Sequence, residues 1–139
     1  MTTRTGGCAC DAVRYEISAE PVFQVACHCR ACQYASGGAP TLAMIVPKEA
    51  LKITKGEPRF YWSAGESGAK VGRGFCESCG SPLYSLPEAN AGIAVIKVGS
   101  LDDPSDFKVQ ADIWTSAAQP WHRLHEGAAS FDKTPMPGG

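Results

Sequence analysis

Short runs of apolar residues, some alternating with polar residues and some continuous, recur along this chain between glycine, proline and charged turns. Such runs are typical of β-strands, and their turn residues mark where strands end. The pattern predicts strands over residues 13–17, 41–46, 51–54, 60–63, 83–86, 93–98 and 107–114. The run over 93–98 has the strongest signal of a buried strand.

Helical periodicity is confined to two short stretches, residues 30–35 and residues 48–51 after Pro47. Spaced strands with few helices favour a mainly-β sandwich or barrel-like fold. With no repeat or long linker, we predict a single domain over residues 1–134. A flexible tail rich in proline and glycine is expected over residues 135–139.

Composition and charge exclude several classes of function. The chain has 139 residues and a formal net charge of −1, without the basic excess of a nucleic-acid-binding or anionic-membrane-binding protein. The first residues lack the apolar core of a signal peptide, and no apolar stretch is long enough to cross a membrane. These features predict a soluble, cytoplasmic protein.

Seven cysteines carry the chemical signal, because they fall into three tight clusters. The clusters are Cys8 and Cys10, then Cys27, Cys29 and Cys32, then Cys76 and Cys79. An odd count in a cytoplasmic protein argues against a disulfide framework. Zinc takes four protein ligands in a structural site and three in an open one. Seven thiols therefore predict two Zn²⁺ ions, one bound by four cysteines and one by three.

The first and third clusters are predicted to form the closed site. A bend at Gly6-Gly7 would direct Cys8 and Cys10 to one ion, and Gly80 would supply a left-handed turn after Cys79. Joining clusters about 65 residues apart costs roughly 4 kcal/mol of loop entropy. Structural zinc supplies on the order of 10–16 kcal/mol. The alternative is a pair of buried apolar cysteines beside an unrelated redox Cys-x-x-Cys.

The middle cluster offers three thiolates and leaves a position for water or substrate. Arg30 and the short helix after it would stabilise thiolate charge. His28 is expected to point away from the ion that its neighbours share. His122 is a possible fourth ligand, which would close the site, whereas His125 is interpreted as an exposed polar residue.

The ordered motifs resemble the glutathione-dependent formaldehyde-activating enzyme family, to which the domain of centromere protein V is similar. The residues that carry the resemblance are Gly-Gly-Cys-x-Cys at 6–10, Cys-His-Cys-x-x-Cys at 27–32 with Ser36-Gly37, Phe-Cys-x-x-Cys-Gly-Ser-Pro at 75–82, Gly-Ser-Leu-Asp-Asp at 99–103 and Pro120-Trp121.

The resemblance implies a mainly-β fold of the Mss4-like, or β-tent, kind. It implies a structural zinc on Cys8, Cys10, Cys76 and Cys79 and a catalytic zinc on Cys27, Cys29 and Cys32. It further implies a carbon–sulfur lyase that joins a small thiol such as glutathione to an aldehyde such as formaldehyde. Whether zinc would hold the thiol or polarise the aldehyde stays open, as does a role for Tyr34 or Ser36 in proton transfer.

Two other functions fit the same residues. A zinc-stabilised protein-binding module of the Mss4-like kind would have a closed middle site or an exposed apolar patch. A thiol redox protein would require Cys29 and Cys32 to cycle through a disulfide.

Overall fold

The computed structural model describes residues 3–65 and 67–135. Within them the chain forms one α-helix, α1, at Arg30–Ala35, and short 3-10 turns at Lys48–Ala50, Glu88–Asn90, Val98–Ser100 and Thr115–Ala117. The strands are β1 (Arg4–Gly7), β2 (Arg14–Ile17), β3 (Phe23–Cys27), β4 (Thr41–Pro47), β5 (Leu51–Lys55), β6 (Arg59–Ala64), β7 (Lys70–Phe75), β8 (Pro82–Pro87), β9 (Ile93–Lys97), β10 (Ala111–Ile113) and β11 (Ala129–Ser130).

The prediction of a mainly-β fold with short antiparallel strands is confirmed, as is the helix over 30–35. The stretch predicted as helix at 48–51 is a single 3-10 turn, and the strand predicted over 107–114 is wrong for most of its length, since only Ala111–Ile113 pairs. Strands β1, β3, β7 and β11 were not predicted. Glycine, glutamine and cysteine residues obscure the apolar pattern of the first three, and β11 has only two residues. The predicted tail, except Pro135, lies outside the described residues.

The strands form two sheets. One is three-stranded, in the order β1-β2-β5, and the other is eight-stranded, in the order β11-β10-β3-β4-β9-β8-β7-β6. Most neighbours are antiparallel, but β10 runs parallel to both β3 and β11. The larger sheet therefore brings the end of β3 beside residues more than eighty positions later in the chain.

The two faces of the large sheet carry different side chains, because successive side chains along a strand point to opposite faces. One face packs on the small sheet through a buried core that includes Tyr15, Met44, Leu83 and Ile96. The other face carries a smaller apolar cluster built on Val25, Ala43, Ala111 and Ile113.

The strand register assembles the second face in detail. Cys27 on β3 lies opposite Thr41 on β4, and Ala43 lies opposite Lys97 on β9. Further along, Val95 lies opposite Ser85 on β8. Ser85 in turn lies opposite Arg73 on β7, and Arg73 opposite Tyr61 on β6. Since directly paired residues share a face, cysteine, serine and two basic residues converge on one surface.

Two glycines explain how β7 fits against β6. A Cβ at Gly72 would lie 2.7 Å from ring carbons of Trp62, and one at Gly74 would lie 3.0 Å from the ring of Phe60. Glycine inside a strand marks such a close approach. The same two residues weakened the strand signal in the sequence.

Among the described residues, no helix has the length and apolar character needed to cross a membrane.

Candidate metal centres and the adjoining cavity

The first and third cysteine clusters meet at one point, as the predicted closed site requires. Cys8 and Cys10 stand on the turn after β1, and Cys76 and Cys79 on the turn between β7 and β8. All four Sγ atoms lie within 4.8 Å of one another. The Cys8–Cys10 and Cys10–Cys76 Sγ distances are both 3.7 Å. Tetrahedral zinc with Zn–S bonds of about 2.3 Å places its sulfurs about 3.8 Å apart, so the four thiols fit zinc.

Local backbone geometry aims the four sulfurs. The Cys8 amide donates to Val13 O at 3.1 Å, and the Val13 amide donates to Cys8 Sγ at 3.2 Å, so the turn wraps the thiol. Gly80 has a φ of 77°, the left-handed conformation predicted for it, and its amide donates to Cys76 O at 2.7 Å. A hydrogen bond from the Ser81 hydroxyl lowers the pKa of Cys79 to about 5. A thiol that ionises so readily favours metal binding.

The bend predicted at Gly6-Gly7 is not where the chain turns, because both residues belong to β1. The turn lies further on, where Asp11 has a φ of 68°. Gly6 instead permits a close contact, since a Cβ there would lie 2.5 Å from both Ser100 O and Tyr15 Oη.

The middle cluster forms a second, separate group, hereafter the cysteine trio, of Cys27, Cys29 and Cys32. Cys27 ends β3, Cys29 caps the start of α1, and Cys32 lies in its first turn. Their Sγ atoms lie within 4.8 Å of one another, and the Cys29 Sγ accepts a hydrogen bond of 3.3 Å from the Cys32 amide. No other histidine, cysteine or carboxylate of the described residues joins this group. The trio can therefore hold an ion and leave one position free for a further ligand.

Charge in the trio is unevenly placed. Hydrogen bonds from Cys27 and Cys29 hold the pKa of Cys32 well below its usual range, and the positive charge of Lys97 adds to this. The pKa of Cys27 is raised, first by its hydrogen bond with Cys29. Burial lowers the pKa of Lys97, although the nearby thiols oppose that shift. The surroundings of Cys32 thus favour its ionised form.

A buried polar network holds the backbone between Cys27 and Cys29 in place. His28 is fully buried and, as predicted, its side chain is not among the metal-ligand groups. Its Nε2 donates to Asp112 Oδ1 on β10 at 2.8 Å, and its backbone amide donates to Ile113 O at 2.9 Å. Gln33 Nε2 donates to His28 O at 2.8 Å. The residue between Cys27 and Cys29 is therefore fixed from three directions.

The two later histidines belong to this network rather than to the trio. His122 Nδ1 lies 3.0 Å from His28 Nδ1, and its Nε2 donates to Gly38 O at 2.8 Å. His125 is exposed, as predicted, but its Nδ1 lies 2.9 Å from Asp112 Oδ1 and its amide donates to Asp112 Oδ2 at 2.7 Å. Both nitrogens of His122 have partners, so the structure does not bring it to the trio as a fourth ligand.

A cavity of about 150 Å³ opens beside the trio on the second face of the large sheet. All three cysteines line it, together with apolar side chains such as Val25, Ala43 and Ile45. Its remaining polar and charged walls include Arg73, Ser85 and Lys97.

Sequence reasoning missed these three wall residues. Each is a polar side chain on a strand position that faces the cavity. Which positions face the cavity can be recognised only once the strand register is known. Tyr34 and Ser36, considered for proton transfer, do not line this cavity. Tyr34 lies with Arg30, Tyr61 and Arg73 around a wider outer depression of about 640 Å³. Ser36 Oγ lies 2.9 Å from Thr41 Oγ1.

Comparison with known proteins agrees with the motifs. The model of the family described as glutathione-dependent formaldehyde-activating enzyme matches residues 3–117. No functionally curated protein matches the chain. The solved structure of a protein from Rhodobacter sphaeroides, a structural genomics target, superposes with a TM-score of 0.59 at 20% sequence identity, covering 70% of this chain and 87% of that one. At that identity the likeness concerns the fold alone.

The match to the family model covers most of this chain, so the chain belongs to the glutathione-dependent formaldehyde-activating enzyme family. The predicted resemblance is confirmed, and the two cysteine groups lie inside the matched residues.

Proposed function

We propose that this family member is a zinc-dependent enzyme that adds a small thiol to an aldehyde at the cysteine trio. The bond formed joins the thiol sulfur to the carbonyl carbon, and the thiol proton ends on the carbonyl oxygen. The observation that carries the proposal is that the trio, alone of the two cysteine groups, offers only three thiols and also lines an apolar cavity.

Cys27, Cys29 and Cys32 would hold the ion, and Cys8, Cys10, Cys76 and Cys79 would hold the structural one. Zinc bound by three thiolates supplies a position at which an incoming thiol ionises or a carbonyl oxygen is polarised. The fold's own contribution is to keep the three sulfurs in place, through β3, the start of α1 and the His28–Asp112 contact.

The cavity walls support the same chemistry. Arg73 and Lys97 bring positive charge to a space otherwise lined mainly by apolar side chains, and attraction between charges is stronger where water is excluded. Anionic sulfur or oxygen that develops during the addition is therefore stabilised there. The small volume holds the thiol beside the ion, which lowers the entropic cost of its encounter with the aldehyde.

The test is thiol–aldehyde addition measured by exchange NMR with zinc-loaded protein, against the spontaneous rate. Glutathione and smaller thiols are compared with formaldehyde and larger aldehydes. Wild type should accelerate at least one pair, and Cys29→Ala and Cys32→Ala should abolish the acceleration while staying folded. Ser105→Ala, an exposed change, is the control. Acceleration that survives in both cysteine variants would place the chemistry elsewhere.

A zinc-stabilised protein-binding module is the second candidate, and exposed aromatic residues favour it. Tyr34 is 81% exposed, and Tyr61 is 65% exposed on the edge strand β6. Exposed aromatic residues are enriched at protein interfaces. If no thiol and aldehyde pair is accelerated by zinc-loaded wild type, this function replaces the enzymatic one.

A further inference from the structure

We propose that Ser85 and Arg73 form an anion-binding end of the cavity, opposite the trio, and that the thiol substrate is a small carboxylic acid. This inference rests on the proposed function for the position of the thiol. It adds the substrate class, a mercapto acid with a short apolar chain between its two ends.

Ser85 provides the first observation. It is 5% exposed on β8, and its Oγ has no hydrogen-bond partner among the described residues. A buried hydroxyl without a partner costs free energy, so natural proteins rarely keep one unless a ligand or water uses it. Ser85 is one of the residues that line the cavity, so a ligand held there could satisfy this buried hydroxyl.

The charges around Ser85 indicate what kind of ligand it meets. Arg73 is its direct cross-strand partner, and Lys97 lies two residues from Val95, the partner of Ser85 on β9. Ser63 accepts a hydrogen bond of 2.8 Å from Arg73 Nη1, which fixes the guanidinium over the same face. No aspartate or glutamate of the described residues lines the cavity. A hydroxyl beside two basic groups, with no acid to balance them, suits a carboxylate.

The cavity's volume limits the ligand's size. A space of about 150 Å³ holds a molecule the size of benzene. Glutathione is several times larger, so only its thiol arm would enter. A mercapto acid of about six non-hydrogen atoms fits whole. Its methylene groups would lie against apolar wall residues such as Ala43 and Val95, with its carboxylate directed towards Arg73 and Ser85.

The basic residues have another possible role, since they can balance the negative charge of three thiolates. That role does not account for the unpartnered hydroxyl of Ser85, which carries no charge. The two roles also differ in what a variant should change: ligand selectivity in one case, zinc retention in the other.

The experiment is calorimetric titration of zinc-loaded protein with 3-mercaptopropionate and with its neutral amide. Wild type should bind the acid about tenfold to a hundredfold more tightly, the range expected for charge-assisted hydrogen bonds. Ser85→Ala should remove most of that preference and leave amide binding and zinc content unchanged, and Arg73→Gln should also remove most of the preference. Arg59→Gln, on the exposed arginine that pairs with Glu77, should keep the preference.

Equal binding of acid and amide by wild type would overturn the inference, whatever the variants do. So would zinc loss in Ser85→Ala, or a preference that survives in both variants. Catalysis is measured separately: a preference for the acid without thiol–aldehyde turnover refutes the proposed function but keeps the anion site. Thiol–aldehyde turnover without a preference for the acid refutes the anion site but keeps the proposed function.

Discussion

Replacing Asp112 with asparagine should strongly destabilise this protein, although the side chain keeps its shape. Asp112 is fully buried, its Oδ1 accepts from His28 Nε2 at 2.8 Å, and its Oδ2 accepts from the His125 amide at 2.7 Å. An asparagine can offer an oxygen to only one of these donors, and its NH₂ group then faces the other. Losing a charged hydrogen bond and leaving a buried donor unpaired should together cost about 3 kcal/mol.

The assay is urea unfolding at neutral pH in excess zinc, with Asp106→Asn as the matched control. Asp106 is an exposed aspartate that accepts two hydrogen bonds of 2.9 Å from Arg4, and surface ion pairs contribute little to stability. Asp112→Asn should also melt about 10 °C below wild type, at roughly 3–4 °C per kcal/mol for a domain of this size. If the two variants unfold at the same urea concentration, the buried network does not support the fold as argued.

The pH dependence gives an independent check. Burial opposes ionisation of Asp112, but hydrogen bonds from His28 and His125 outweigh it and keep its pKa below the ordinary value. The carboxylate's stabilising contribution is therefore complete above pH about 4 and is lost as the pH falls through the lowered pKa. The gap between wild type and Asp112→Asn should shrink over that acidic range. Thiol protonation affects both proteins alike and cancels in the difference.

Three further outcomes are expected. A chelator should remove two zinc ions in sequence, the first with little loss of circular dichroism; a single ion, or unfolding with the first release, would contradict the division of ligands. Cys76→Ser should melt far below Cys29→Ala, because losing the structural metal can exceed a domain's stability of about 5–15 kcal/mol; similar melting temperatures would refute this. Gly6→Ala should lower the melting temperature, because its Cβ would lie 2.5 Å from Ser100 O and Tyr15 Oη; an unchanged melt would mean that β1 shifts without cost.

Cysteine spacing and the apolar pattern are enough to predict the mainly-β class and both sulfur groups. Metal-ligand spacing is local in the sequence, so Cys27, Cys29 and Cys32 can be recognised as a group without knowing the fold. The partners of His28 were not predictable in the same way, because Asp112 lies 84 residues away and meets it only through the parallel pairing of β3 and β10. Ser85 and Arg73 were missed for a related reason: which face a strand residue occupies depends on register, and a shift of one residue reverses it.

The distribution of ligands along the chain also sets the order in which the two centres can form during synthesis. The trio is complete once Cys32 has left the ribosome, whereas the other group is complete only with Cys79, which is 47 residues later. At translation rates of about 5–20 residues per second, that delay is roughly 2–9 s. The centre that would lose its metal first in the finished protein is thus the one able to acquire metal first in the nascent chain. If both groups bind zinc as proposed, early capture by the trio would leave less metal for the four cysteines that join the two sheets.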